Sequence, residues 1–366
     1  MWLAELRLRD FRNYPAADVV LDPGVTLLLG RNAQGKSNFL EAVYTVALGR
    51  SPRAGGDAEL IRFGQERAYV RAAVGGAHGS HLEFAFDRAS GARRIKVNGV
   101  TASREQLLGR LVVVLAGPLD DEMVRGAPAY RRRLLDAALS QVSPSYYFSL
   151  ARYGRVIRQR NQLLRHGAGG AALGPWDHQL VELGAVLVER RRRFVGRLAA
   201  RAAERHARLA GGGERLEVAY VCSAGEGEER AALARALGEC RREEFRRGVS
   251  LVGPHRDDLD LRVNGIDLRA FGSRGQHHTA ALSLRLAEVD LLGEELGEWP
   301  VVLLDDVLAH LDSARQALLL REVVGPQVLL THTGLPAVTG VFPRVLRVHE
   351  GTIAEESGVP AQGTLE

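Results

Sequence analysis

The sequence predicts an α/β protein whose mixed β core carries an antiparallel β subdomain and is interrupted by an α-helical insertion. Three observations lead there. A glycine loop lies between an apolar strand and a helix near the start, at Gly30–Ser37. Short alternating segments fill residues 69–100, and an arginine-rich helical stretch runs from about Pro118 to Gly248. Buried-strand patterns then return after Val249. The expected organisation is a head built from 1–115 and 249–366, with 116–248 as an inserted helical lobe.

Each element has a local reason. Leu3, Leu6 and Leu8 alternate with charged residues, so the chain opens as a β-strand, followed by the turn-like run Phe11-Arg12-Asn13-Tyr14-Pro15. Val25–Leu29 is a short apolar run of buried-strand type. Phe39, Leu40, Val43, Tyr44 and Ala47 share one side of a helix that ends near Gly49. Tyr69–Val74, Leu82–Phe86 and Arg94–Val97 alternate as strands, and Asn98-Gly99 is a hairpin turn. They form an antiparallel sheet inserted after the first helix. Leu111–Leu115 returns to the core.

Tyr130–Ser140, Ser145–Leu164 and Trp176–Leu209 are the main helices of the insertion. Gly167–Gly174 is a flexible break, and Gly211-Gly212-Gly213 closes the third helix. Along that helix Leu180, Leu183, Leu187, Phe194 and Leu198 recur on one face. Arg190 to Arg193, Arg197, Arg201, Arg205 and Arg208 lie opposite, a basic face suited to a phosphate backbone or to plain solvation beside Glu182, Glu189 and Glu204. Leu259–Val263 alternates, and Asn264-Gly265 marks a second hairpin.

Composition narrows the function classes. With 366 residues, 46% hydrophobic and 25% charged, the chain has an ordinary soluble composition for two or three domains. No apolar run approaches the roughly 18 residues that span a bilayer. Met1–Glu5 lacks the basic segment of a secretion signal. Cys222 and Cys240 are too few for a disulfide framework or a cysteine-rich metal site, and fit a reducing cytoplasm. The net charge of +5 and a pI near 9.5 favour a polyanionic partner such as nucleic acid.

The chemistry centres on Gly30-Arg31-Asn32-Ala33-Gln34-Gly35-Lys36-Ser37, which fits the phosphate-loop pattern G-x-x-x-x-G-K-[ST] at every fixed position. The glycines let backbone N–H groups converge, and the helix that follows adds its own unpaired N–H groups and positive dipole end. Lys36 is expected on the β- and γ-phosphates and Ser37 on Mg²⁺. Residues 30–38, through Asn38, form the expected nucleotide-binding set. Only Lys36 and Lys96 are lysines among 49 basic residues; the others are arginine. A chain that writes positive charge as arginine uses a compact ammonium at this position, where a crowded phosphate pocket favours it.

Three later motifs complete the set. Ser273-Arg274-Gly275-Gln276 precedes a helix and offers a hydroxyl and N–H groups, or equally an ordinary helix cap. Val301–Leu304 is a buried strand ending in Asp305 and Asp306. In an α/β sheet that end is where ligands bind, so Asp305 is expected to act on the Mg²⁺ and Asp306 to orient the attacking water. Val328–Thr331 is another buried strand, with His332 at its end within reach of a γ-phosphate.

Taken together, these motifs resemble the ATP-binding cassette head, in the branch shared by SMC-type ATPases and the RecF recombination-repair family. Ser273–Gln276 looks like the signature loop in its RecF form, Asp305 like the metal-binding Asp, Ala309-His310-Leu311-Asp312 like the D-loop and His332 like the switch residue. Leu8–Tyr14, Tyr130–Asp136 and Gly253–Leu259 resemble further RecF-type motifs, so the likeness spans nearly the whole chain. It departs from the wider cassette family at Asp306, where Glu is usual, and Val114 stands where a Q-loop glutamine is expected. No chemical role follows for His255 or Arg256.

The resemblance implies weak DNA-dependent ATP hydrolysis with Mg²⁺. It implies an ATP-driven homodimer in which each signature loop caps the other subunit's ATP. Double-stranded or gapped DNA, RecO- and RecR-type mediators, and a cytoplasmic, nucleoid-associated location also follow from it. Other readings fit less well. A transporter subunit lacks so large an insertion between phosphate loop and signature, an SMC structural head has a long coiled coil, and a metabolic P-loop kinase needs neither Ser273 nor His332.

Overall fold

The computed structural model describes residues 1–76, 79–167, 170–311, 313–335 and 342–355. Two compact units emerge, Met1–Asp120 with Glu288–Glu366, and Asp121–Ala287. The later boundary therefore differs from the expected one at Val249. Strand pairing is the reason. Asp258–Val263 pairs antiparallel with Leu216–Val221, Leu261 facing Val218, so this segment completes a sheet of the second unit.

The first unit holds two six-stranded sheets. One is antiparallel, in the order Tyr14–Val20, Trp2–Phe11, Arg67–Gly75, Ser80–Asp87, Arg93–Val97, Val100–Thr101. The opening hairpin thus belongs to the sheet that the sequence places only after the first helix. Leu3, Leu6 and Leu8 bury their side chains completely, which fixes the register because a one-residue slip would expose them. The Asn98-Gly99 turn carries φ of 51° and 79°, the left-handed pair a two-residue hairpin requires.

The second sheet runs Thr352–Glu355, Arg344–His349, Val25–Leu29, Val328–His332, Val301–Asp305, Val113–Ala116. It is parallel apart from the Arg344–Glu355 hairpin. Parallel strands covered on both faces need near-continuous apolar runs, and Val301–Leu304 and Val328–Leu330 supply them. The Lys36–Leu48 helix packs against strands of both sheets. Being covered all round, it is apolar almost all round, and Gly49 ends it in a left-handed cap at φ 65°.

The second unit contains the helices Pro128–Val142, Pro144–Arg165, Gly170–Leu209 and Glu229–Arg247, with a three-stranded antiparallel sheet. Two expectations change here. Residues 170–174, assigned to a flexible break, are helical, and the helix continues through Pro175; residues 168 and 169 lie outside the described residues. Leu173 is fully buried, and that burial outweighs the poor helix propensity of Gly170 and Gly174. Arg191, assigned to the basic face, is only 2% exposed. Its guanidinium donates to Tyr146 Oη at 2.9 Å, the Pro254 carbonyl at 2.6 Å and Asp136 at 2.7 Å.

That arginine belongs to a buried polar network that joins two of the quoted motifs. Arg131 donates to both carboxylate oxygens of Asp258, at 2.6 and 2.9 Å, and Arg132 donates to the Asp257 carbonyl at 2.7 Å. Tyr153 Oη lies 2.8 Å from His255 Nδ1, and His255 Nε2 lies 3.2 Å from the Ser250 carbonyl. Arg256 donates to the same carbonyl. The residues of Tyr130–Asp136 and Gly253–Leu259 are therefore spent on each other and on their neighbours, which gives His255 and Arg256 an architectural role.

Burial pulls the His255 pKa down to about 4, and the nearby Arg256, Arg132 and Arg160 guanidinium groups push the same way against the hydrogen bond to Ser250. His255 is thus neutral when folded. Between pH about 6.5 and about 4 the unfolded chain takes up a proton that the folded chain refuses, so stability falls as pH falls through that window. The expected loss is on the order of 3 kcal/mol, complete below about pH 4. Urea titrations across this range check it, and His255→Gln should flatten the dependence.

Candidate nucleotide site

The carboxyl edge of the parallel sheet gathers the expected groups of the first unit. Val25–Leu29 ends at Gly30, and Val328–His332 lies beside it in register, His332 opposite Leu29. Val301–Asp305 is next, with Asp305 opposite Thr331. Parallel pairing therefore brings the loop, the acidic pair and the histidine to one edge.

Crowding explains the loop glycines. A Cβ on Gly30 would sit 2.3 Å from the Val348 carbonyl oxygen. Gly35 has φ 121°, and a Cβ there would meet the Asn13 side chain at 2.7 Å. Asn13 and Tyr14 hold the loop from behind. Asn13 Nδ2 donates to the Gln34 carbonyl at 2.8 Å, Tyr14 Oη donates to the Gly35 carbonyl at 2.9 Å, and Asn38 Nδ2 donates to Asn13 Oδ1 at 2.7 Å. The Phe11–Tyr14 run is thus a clamp on the loop, a role its sequence does not announce. Asn13→Ala removes two of these bonds and leaves the Gln34 carbonyl without that donor. We expect ATP affinity to fall about thirtyfold, at about 1 kcal/mol per bond, as read by titration with a fluorescent ATP analogue.

Lys36 is 7% exposed, and its ammonium donates to the Gly30 carbonyl at 2.6 Å and the Arg31 carbonyl at 2.9 Å. Burial draws its pKa below the ordinary lysine value, and the carboxylates of Asp306 and Asp305 oppose the shift. The Ser37 hydroxyl donates to Asp305 Oδ1 at 2.7 Å, and the Thr331 hydroxyl donates to the same oxygen at 2.8 Å. Thr331 Oγ1 in turn accepts the Asp306 N–H at 2.9 Å. Asp306 is left-handed at φ 55°, and its Oδ1 is buried with no hydrogen-bond partner. An orphaned carboxylate oxygen beside a hydroxyl–carboxylate pair is an arrangement that accepts a cation or a water proton.

These groups line a pocket of about 210 Å³ formed by Asn32, Ala33, Gly35, Lys36, Ser37, Asn38, Arg53, Asp305, Asp306 and Thr331. Of the expected set, Gly30, Arg31 and Gln34 support the loop without lining the pocket. The Gln34 side chain accepts the Glu350 N–H at 2.9 Å. His332 is half-buried and also does not line it; its Nδ1 lies 2.6 Å from the Gly334 carbonyl oxygen. Asp312 lies outside the described residues. Arg53 and Thr331 are additions. Arg53 donates to Asn38 and, at 2.7 Å, to Glu41. Glu41 is 1% exposed. Burial pushes its carboxyl up, but hydrogen bonds from Arg12, Arg53 and Ser51 outweigh that and hold it below the ordinary carboxylate range. Thr331 stands beside His332 in a buried strand, where a threonine reads as packing.

Ser273–Gln276 belongs to the second unit. Ser273 Oγ accepts the Gln276 N–H at 3.2 Å, and Gln276 Oε1 accepts the Ser273 N–H at 2.9 Å, a reciprocal cap on the Arg274–Leu296 helix. Gln276 Nε2 donates to Glu214 at 2.8 Å. Ser273, Arg274 and Gly275 face solvent. The position expected for a Q-loop glutamine, Val114, is buried within the Val113–Ala116 strand. Among the described residues no helix is long and apolar enough to cross a membrane.

A phosphate loop on a parallel sheet, an antiparallel sheet across its helix and a separate helical unit define an ATPase head of the class shared by RecF, RecN and SMC proteins. The RecF/RecN/SMC N-terminal domain family matches residues 2–326. The chain belongs to the RecF family of DNA replication and repair proteins. It is 42% identical to the RecF of Symbiobacterium thermophilum over 96% of this chain and 98% of that one. It is 36% identical to the RecF of Staphylococcus aureus, over 96% of this chain and all of the other. A solved RecF bound to ATP, a recombination mediator of the RecFOR pathway, superposes with TM-score 0.90 at 34% identity, covering 97% and 98% of the two chains. The Smc head of Pyrococcus furiosus shares the fold, with TM-score 0.58 at 16% identity.

Proposed function

We propose that this chain is an ATP-driven DNA clamp of the recombination-mediator type, which hydrolyses ATP slowly to release DNA. The observation that carries this reading is the Ser37–Asp305 hydrogen bond at 2.7 Å, which joins the phosphate loop to the acidic strand beneath Lys36. A hydroxyl and a carboxylate so close are the pair that holds Mg²⁺ when nucleotide phosphates complete its shell. Mg²⁺ bound there supplies charge to the β- and γ-phosphates.

The chain's own residues do the rest. Loop N–H groups at 30–38 and the start of the Lys36–Leu48 helix hold phosphate oxygens, and Lys36 exchanges its two carbonyl partners for them. Asp306, with one oxygen unpartnered, orients the attacking water and takes its proton. His332 turns from Gly334 to a γ-phosphate oxygen. Ser273, Arg274, Gly275 and Gln276 act on the ATP of a second subunit, and Asp312 is the D-loop aspartate. ATP thereby favours the dimer because its γ-phosphate is shared, and ADP does not. Duplex and gapped DNA are the polyanions held, and RecO- and RecR-type mediators are the partners in a cytoplasmic, nucleoid-associated setting.

Sedimentation with ATP, ADP or no nucleotide, with and without duplex DNA, tests this. A dimer formed only with ATP and retained on DNA is expected. Persistence as a monomer under every condition, or an ATP dimer unchanged by Ser273→Arg, would end the clamp reading.

A further inference from the structure

A single glutamine amide makes two bonds at the start of the Arg274–Leu296 helix. Gln276 Oε1 accepts the Ser273 N–H at 2.9 Å, and Gln276 Nε2 donates to Glu214 Oε1 at 2.8 Å, 62 positions away. A carboxylate only accepts, so it must face the NH₂ end of the amide, and the amide oxygen is left for Ser273. Flipping the amide would set oxygen against carboxylate and NH₂ against N–H. Glu214 thereby fixes which way Gln276 faces, and with it the cap that holds Ser273. The Ser273 hydroxyl accepts the Gln276 N–H at 3.2 Å, which leaves its own proton for an acceptor outside the cap. Ser273, Arg274 and Gly275 are exposed, so the face they present is set from below.

Glu214 is itself held on both sides. Before it, the Gly170–Leu209 helix closes with the Gly212 N–H on the Ala207 carbonyl at 2.8 Å. After it, the Arg215 N–H donates to Asn264 Oδ1, and the Asn264 N–H returns to the Arg215 carbonyl, both at 2.9 Å. The second carboxylate oxygen of Glu214 lies 3.3 Å from Nε2 of His206, which is completely buried. His206 Nδ1 lies 3.3 Å from Oγ of Ser283, a residue of the same helix as Gln276. Glu214 therefore bridges the end of one helix to the start of another. On the other flank of the loop, His277 Nε2 donates to the Leu268 carbonyl at 2.7 Å, and a Cβ on Gly272 would sit 2.5 Å from that nitrogen.

We propose that Glu214 is a positioning residue for the Ser273–Gln276 loop: by orienting Gln276 it fixes the face that the loop turns to the ATP of a second subunit. The proposal rests on the clamp reading and adds to it a residue that touches no nucleotide. Glu214 belongs to the second unit, and the nucleotide pocket is built from the first. Its loss therefore leaves ATP binding to a single chain as it is and weakens the ATP-bound dimer. Preorganisation is the reason. A loop already held in one geometry loses little freedom when it meets phosphate, whereas a loop with a swinging glutamine loses that freedom on contact.

The test compares the full chain as wild type, Glu214→Ala and Glu214→Gln. Glutamine keeps an oxygen for Gln276 Nε2 and turns its NH₂ to His206 Nε2, so it should restore what alanine loses. In Glu214→Ala the dissociation constant of the ATP-bound dimer, from sedimentation over a range of protein concentrations, should rise about a hundredfold, about tenfold for each of the two loops. Glu214→Gln should stay close to wild type. Affinity for a fluorescent ATP analogue, measured on dilute monomer, should be the same in all three. Amide hydrogen exchange at Ser273 and Gln276 without nucleotide should accelerate in Glu214→Ala alone, a readout that needs no dimer. A wild-type ATP dimer that Glu214→Ala leaves equally tight would overturn the proposal and spare the clamp. So would unchanged exchange at Ser273 and Gln276, or a loss in Glu214→Gln equal to that in alanine. Faster exchange throughout the second unit with ATP affinity also lost would make Glu214 a residue of the fold only. A wild-type chain that stays monomeric with ATP would overturn the clamp reading and this proposal with it.

Discussion

Lys36→Ala is expected to lower ATP turnover by about 10²–10³-fold, the usual cost of removing one preorganised donor from developing phosphate charge. Lys36 is 7% exposed and its ammonium is held by the Gly30 and Arg31 carbonyls. Burial draws its pKa down, and the carboxylates of Asp306 and Asp305 oppose that shift. Alanine leaves the Gly30 and Arg31 carbonyls without this donor as well as removing the charge. Lys36→Arg should fail almost as badly, because a planar fork does not fit between two carbonyls of one loop. Lys96→Ala, on an exposed strand, is the control. Phosphate release at saturating ATP measures the effect; unchanged turnover in Lys36→Ala would remove this residue from the chemistry.

The second large effect concerns stability. Arg160 and Glu244 are both 0% exposed and paired at 2.6 Å. Arg160 also donates to Asp177 at 2.8 Å and to Ser250 Oγ at 2.8 Å. Glu244 accepts the Leu251 N–H at 2.9 Å, and Asn161 accepts both the N–H and the hydroxyl of Ser250. Every member has a partner, so the network is stable only as a whole. Arg160→Ala strands a buried carboxylate and should destabilise the second unit by about 3–5 kcal/mol. Arg160→Met with Glu244→Leu should recover much of that loss, because neither charge then remains unpaired. Urea unfolding followed by circular dichroism distinguishes the two variants.

Arg160 also shows where the sequence is legible and where it is not. Its helix is readable from Ser145 to Leu164 by periodicity, yet nothing local separates Arg160 from Arg155 or Arg158. The partner that turns it inward, Glu244, is 84 positions away. Arg191 hides in the same way within Arg190–Arg193, because its contacts come from Asp136, Tyr146 and Pro254. The nucleotide pocket was more readable. Phosphate chemistry fixes glycine, lysine and serine at set spacings, and parallel strands deliver Asp305 and His332 to one edge. Arg53 and Thr331 escape notice since each acts through a neighbour, Asn38 and Asp305 respectively. Gly170–Gly174 misleads for a different reason: local propensity favours a break, while burial of Leu173 decides for helix.

Strand order has a consequence for biosynthesis. Val25–Leu29 lies between Val328–His332 and Arg344–His349, and Ser37 meets Asp305 across 268 positions. The second unit, by contrast, is one continuous stretch, Asp121–Ala287. At about 5–20 residues per second, a ribosome finishes that stretch about 2–8 seconds before it begins the first neighbour of the central strand, at Val328. The early phosphate loop is therefore synthesised first and completed last. A nascent chain thus folds its helical unit while its nucleotide pocket still lacks Asp305, Asp306 and Thr331, so a truncated product ending before Val301 has no means of assembling the pocket at all.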